Sequence, residues 1–104
     1  MKSVSPEEAQ KLIESGEVLI IDVRTPAEFA EGHIGGARNI NINDQGFAGA
    51  VKTLDPNAIY LVNCLSGGRS SMAASFMTDS GFTKVNNLEG GMGAWKRAGL
   101  PIEG

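Results

Sequence analysis

This chain is short of the residues that usually mark a metal site, a disulfide scaffold or a nucleic-acid surface. Among 104 residues there is one cysteine, Cys64, and one histidine, His33. A lone cysteine excludes an internal disulfide, and one Cys with one His makes no recognisable zinc set, so neither metal nor cofactor is expected. Basic residues are in deficit, nine Lys and Arg against twelve Asp and Glu for a net charge of −3, which argues against a nucleic-acid or membrane-surface binder. No apolar run approaches membrane-spanning length, and MKSVSPEEAQ at the start has no apolar core of a signal peptide. The expectation is one domain over residues 1–104, set in a reducing cytoplasm.

What is present is ordinary in amount, 41% hydrophobic and 20% charged, and ordered in pattern. Ser5, Pro6 and Glu8 form a capping signature for a helix from about residue 4, whose apolar stripe is Ala9, Leu12 and Ile13 and whose stop is Gly16. Residues 18–21, VLII, read as a strand buried on both faces, ending in Asp22-Val23-Arg24. Thr25-Pro26-Ala27-Glu28 repeats the capping pattern for a short helix that stops at Gly32. A turn and an extended piece over 37–42 follow. Residues 44–54 read as a weak helix, since Gly46 and Gly49 lower its propensity. Residues 58–63 form the next strand. A helix carrying Ala73, Phe76 and Met77 stops at Gly81, with Phe82 placed for a Schellman contact back to Met77. The pattern closes with a strand over 84–88 and a helix over 91–99, where Leu100 is placed to pack on Trp95. Strands alternating with helices predict an α/β fold with a parallel sheet and helices on both faces.

One stretch stands apart, IYLVNCLSGGRS at 59–70. A strand delivers the only thiol to a glycine-rich turn just before a helix. Amides in such a turn can point inward at an anion, and the helix start adds partial positive charge. A cysteine placed there is expected to be a reactive, readily ionised thiol rather than an inert core residue. Ligands of parallel α/β sheets sit beyond the carboxyl ends of the strands, so Asp22, Arg24 and Cys64 are candidates for one shared mouth.

Three blocks, IDVRTPAEFAEGHIGGARNI at 21–40, VNCLSGGRS at 62–70 and LEGGMGAWKRAGLPIE at 88–103, together resemble the single-domain rhodaneses of the rhodanese-like sulfurtransferase family. The resemblance implies a rhodanese-like five-stranded parallel sheet with helices on both faces and the active cysteine after a central strand. It also implies transfer of sulfane sulfur from a donor such as thiosulfate, through a Cys64 persulfide, to a thiophilic acceptor such as cyanide, a thiol or a sulfur-relay protein. Related phosphatases on this scaffold place five residues between cysteine and arginine, whereas four, Leu65 to Gly68, separate Cys64 from Arg69 here. No acidic residue lies in or just after the loop to protonate a leaving group. Sulfur transfer is therefore favoured over a phosphatase or arsenate reductase, and a sulfur-carrier or binding module with little turnover is the other alternative.

Within the loop, Leu65, Ser66, Gly67, Gly68, Arg69 and Ser70 are the candidate substrate-binding residues around catalytic Cys64. Gly67 and Gly68 suit a tight turn and equally the close approach of backbone to an anion. Arg69 sits at the wrong end of a helix dipole, so its placement asks for a reason, either the anion or the loop geometry. Ser66 and Ser70 could offer hydroxyls to the sulfur or cap the helix, and for Ser70 capping is preferred. For Asp22 a structural ion pair is preferred, while Arg24 could equally reach the mouth and attract a donor. His33, Met92 and Trp95 read as residues serving the fold. Resembling members that use thiosulfate efficiently often carry a basic residue after the cysteine, where this chain has Leu65, which puts substrate preference at that position.

Overall fold

The computed structural model describes residues 1–104. Strand β1 (Lys2–Val4) leads through Ser5 into helix α1 (Pro6–Glu14). The capping box is formed: the Ser5 hydroxyl accepts from the Glu8 N–H at 3.1 Å, and the Glu8 carboxylate accepts from the Ser5 N–H at 2.9 Å. Strand β2 (Val18–Asp22) and helix α2 (Pro26–Glu31) follow, α2 opening on the same device with Thr25 and Glu28. Next come β3 (Arg38–Asn39), α3 (Phe47–Lys52), β4 (Ile59–Asn63), α4 (Gly68–Asp79), β5 (Val85–Leu88) and α5 (Gly91–Arg97). The five strands form one parallel sheet in the order β1-β5-β4-β2-β3. The expected α/β architecture is the one found.

Both faces of the sheet are covered, which is why its central strands β2 and β4 read as near-continuous apolar runs. Residues on opposite faces of β2, β4 and β5 feed two cores. Ile21, Tyr60, Val62 and Val85 point to the side of α3 and α4, where Val51, Met77 and Phe82 complete the cluster. Ile20, Leu61 and Leu88 point to the other side, against Ala9 of α1 and Met92 and Trp95 of α5. Phe82 donates its N–H to Met77 O at 3.1 Å, the expected Schellman contact, and Leu100 packs against the core that holds Trp95.

Three expectations need correcting. A strand was not expected at Lys2–Val4; three residues carry too little periodicity to announce themselves, and pairing with β5 supplies the order. The extended piece over 37–42 is a strand only at Arg38–Asn39, because β2 ends at Asp22 and leaves no further regular partner. The helix expected over 44–54 is confined to Phe47–Lys52; Gly46 stands at its N-cap without a side-chain cap.

Candidate active site

Strands β4 and β2 are central and in register, Asp22 beside Asn63, so Cys64 emerges at the carboxyl edge of the sheet's middle. It shares the face of Val62, under α4, and is 1% exposed. The chain then turns through Leu65, Ser66 and Gly67 into α4. Gly67 is the N-cap residue with φ 109°, a conformation that disfavours any residue with a Cβ. That turn aims the Gly67 N–H back at Cys64 Sγ, 3.0 Å away.

A second element fixes the loop from outside. The first N–H groups of α5 donate to loop carbonyls, Met92 to Cys64 O at 2.9 Å and Gly93 to Leu65 O at 3.0 Å. Orphan donors of one helix start thus hold the carbonyls outward, leaving loop amides for the sulfur. The approach is so close that a Cβ on Gly91, whose φ is +57°, would lie 2.5 Å from Cys64 O and 2.6 Å from Leu65 O.

The sulfur is surrounded by donors. Besides Gly67 N–H, the Ser70 hydroxyl lies 3.3 Å from Sγ. Burial pushes the Cys64 thiol up, but the Ser70 hydroxyl and the amides of Ser70, Gly67 and Ser66 outweigh it, and the pKa falls below the ordinary 9.0. A thiolate is therefore favoured, and the same donors suit any anionic sulfur bonded to it.

Ser70 is not the cap it was expected to be. The helix begins earlier, on Gly67, and Ser70 falls inside its first turn with the hydroxyl directed into the site. Ser66 contributes its backbone N–H to the sulfur, and its side chain is exposed. Leu65 is also exposed, at 49%.

The two arginines are both committed to carboxylates. Arg24 is 3% exposed and Asp22 fully buried; Arg24 Nε and Nη2 donate to Asp22 Oδ1 and Oδ2 at 3.0 and 2.8 Å, and Nη2 also donates to Gly32 O at 2.7 Å. This pair ties the end of β2 to the end of α2, so the expectation that Arg24 could draw a donor to the mouth is corrected. Arg69 donates through Nη1 and Nη2 to Glu28 Oε1 and Oε2 at 2.7 and 2.9 Å. The fork-to-fork geometry with Arg69 holds the Glu28 carboxyl down at about 2, against some opposing burial and with help from Thr25. Glu28 was legible only as half of a capping box; its second role spans 41 positions of sequence, beyond any local pattern.

His33 serves the fold. Its ring stacks on Phe29 at 3.8 Å, Nδ1 lies 2.9 Å from Phe29 O, and its backbone pairs with Glu103. Asn63, immediately before the cysteine, is fully buried with neither end of its carboxamide bonded to another protein group. The surface clefts lie away from the loop: two border Lys2 and Asn86, a third lies by Ile34 and Trp95, and none is lined by residues 64–70. No group of His, Cys, Asp and Glu side chains is arranged to hold a metal ion. No helix is long and apolar enough to cross a membrane.

Comparison with known proteins points to one family. The profile of the family described as Rhodanese-like domain matches residues 5–98. Thiosulfate sulfurtransferase GlpE of Ectopseudomonas mendocina is 36% identical over 102 residues, covering 98% of this chain and 90% of that protein. The chloroplastic thiosulfate sulfurtransferase 16 of Arabidopsis thaliana is 38% identical over 111 aligned residues, covering 97% and 92%. The crystal structure of a rhodanese-related protein from Thermoplasma volcanium superposes with a TM-score of 0.89 at 28% identity, covering 99% and 98%.

Proposed function

The chain belongs to the rhodanese-like domain family, and from that premise we propose that it is a sulfurtransferase whose covalent carrier is Cys64. The observation that carries the reading is the convergence on Cys64 Sγ of the Gly67 N–H at 3.0 Å and the Ser70 hydroxyl at 3.3 Å, at the edge of a central strand. Residues 65–70 line the substrate position, chiefly through backbone. The relatives named thiosulfate sulfurtransferase supply the donor class, sulfane sulfur.

With thiosulfate the chemistry balances in two displacements. The Cys64 thiolate attacks the outer sulfur, the sulfur–sulfur bond of the donor breaks, and sulfite leaves with the bonding pair. The new outer sulfur carries the negative charge and meets the donors that held the thiolate. An acceptor such as cyanide or a thiolate then attacks that outer sulfur and Cys64 leaves as thiolate. The chain has no second cysteine, so no intramolecular disulfide can discharge the persulfide and the sulfur goes to an external acceptor. Residues 1–104 would do this as one domain, in the cytoplasm.

Phosphoryl transfer fits poorly. Arg69, which would have to grip phosphoryl oxygens, is spent on Glu28. Glu28, held near 2, cannot act as an acid at neutral pH, and Asp22 is closed off with Arg24. The test is intact-mass measurement of the protein and Cys64→Ser after exposure to thiosulfate, a mercaptopyruvate-type donor and a cysteine desulfurase. A gain of one sulfur atom, confined to the protein with Cys64 and reversed by a thiol reductant, is expected. No gain with any donor overturns the proposal.

A second reading, a sulfur carrier loaded by a partner protein with little turnover of its own, is favoured by one observation. The loop offers exposed Leu65 and no free cation, a poor lure for a small dianion. Loading by the desulfurase alone, without multiple turnover of thiosulfate and cyanide, would select it.

A further inference from the structure

The Ser70 hydroxyl has one proton and three acceptors within reach. Cys64 Sγ lies 3.3 Å away, Gly67 O 3.2 Å, and Asn87 Oδ1 only 2.6 Å. Asn87 stands on β5, paired with Val62 of β4, so it shares the sheet face from which Cys64 emerges. The same strand face carries apolar Val85 one step earlier. A polar side chain, 6% exposed, interrupts this apolar face directly beneath the first turn of α4.

We propose that Asn87 is a positioning residue for the Cys64 sulfur: its carboxamide holds Ser70 Oγ so that the single hydroxyl proton is delivered to Sγ.

If Asn87 offers only an oxygen, the short contact takes the Ser70 proton, and the thiolate faces the lone pairs of the hydroxyl. If it offers Nδ2, an amide N–H fills a lone pair of Ser70 Oγ and the hydroxyl proton is left to Gly67 O and Sγ, of which the ionised sulfur is the stronger acceptor. The bond to an ionised sulfur is charge-assisted, and a chain of two donors strengthens it further. With a neutral thiol the opposite arrangement is satisfactory, the S–H donating to Ser70 Oγ and Ser70 donating to Asn87 Oδ1. A carboxamide, with an acceptor at one end and donors at the other, serves both states. The structure has Oδ1 facing Ser70, the arrangement that suits the neutral thiol, and no other protein group bonds the Asn87 side chain, so the carboxamide can turn Nδ2 to Ser70 when the sulfur ionises. An aspartate of the same shape could only accept, would keep the proton from sulfur, and would add a like charge.

The inference rests on Cys64 being the nucleophile. Its test reads ionisation of the sulfur rather than sulfur transfer, so its failure and the failure of that reading are distinguishable. The pH dependence of Cys64 alkylation by iodoacetamide is to be followed by intact mass. Below the midpoint, Asn87→Ala is expected to alkylate about threefold more slowly than the unmodified protein and Asn87→Asp about tenfold more slowly, the midpoint moving to higher pH in both. In a Ser70→Ala background, Asn87→Ala should have no further effect. An unchanged profile in Asn87→Ala, or a loss that persists undiminished without the Ser70 hydroxyl, overturns the proposal. Should the variants fold poorly, the unmodified protein still decides the matter. The Asn87 side-chain amide resonances are expected to titrate with the Cys64 midpoint and to lose that response in Ser70→Ala; amide resonances flat across that midpoint overturn it.

Discussion

Replacing Glu28 by Gln separates the two roles of that side chain. The amide oxygen of Gln can still accept the Thr25 N–H, now 3.1 Å from Glu28 Oε1, so the cap of α2 survives while the charge facing Arg69 is removed. Depression of the carboxyl from 4.5 to about 2 corresponds, at about 1.4 kcal/mol per pH unit, to an upper bound of about 3 kcal/mol. The side chains of Arg69 and Glu28 are 31% and 27% exposed, and solvent screening of such pairs reduces the figure to about 1 kcal/mol. For a chain of this size that is a fall in Tm of about 4–8 °C at pH 7. The sign with pH follows from a folded-state pKa below the unfolded one. The stabilisation is complete above 4.5 and drains away as pH falls through about 2, where the two proteins converge. Urea unfolding of both proteins at pH 7, 4 and 3 measures it. The same substitution releases Arg69 beside the sulfur, so the KM for thiosulfate should fall, by up to about fivefold if the freed charge contributes as much as an exposed pair does. Equal stability at pH 7 with parallel pH profiles would refute the structural argument, and an unchanged KM would refute the claim that Glu28 withholds the guanidinium from the donor.

Two further substitutions probe the loop. Gly91→Ala places a Cβ 2.5 Å from Cys64 O at a φ of +57°, and the left-handed conformation plus the backbone clash should cost about 3 kcal/mol in urea unfolding, with slower Cys64 alkylation as the loop shifts. Gly93→Ala is its control, because the added atom meets nothing nearer than 3.4 Å, and the change should be neutral or stabilising by up to about 1 kcal/mol. Leu65→Arg, at a position 49% exposed, loses little packing and puts an uncommitted cation at the mouth. Steady-state kinetics should show a lower KM for thiosulfate that rises again with salt, and a salt-independent KM would count against charge as the missing element.

Local pattern carried the fold a long way, and the limits have a physical cause. Ser5 with Glu8 and Thr25 with Glu28 announce their helices because each capping box is complete within four residues. The apolar run at 18–21 and the strand before Cys64 announce a sheet covered on both faces for the same reason: burial is written in consecutive residues. The thiol in its glycine turn was equally legible, since the donors from Ser66, Gly67 and Ser70 lie within six positions of Cys64. What escaped is whatever is decided by a partner far along the chain. The three residues of β1 become a strand only against β5, 84 positions later in register. Arg69 could be read as an anion binder or a loop brace until Glu28, 41 positions earlier, engaged both its Nη atoms. Ser70 looked like a cap because serine at a helix start usually is one; the acceptor that redefines it, Asn87, lies 17 positions away across the sheet. At this site sequence proximity supplies the amides that stabilise a charged sulfur, and tertiary contacts decide where the remaining charges and protons go. The sulfur is left with dipoles and no free cation. Such a cradle suits a single anionic sulfur, whose one charge a few aimed N–H and O–H groups can meet, better than a phosphoryl group that needs a guanidinium across several oxygens.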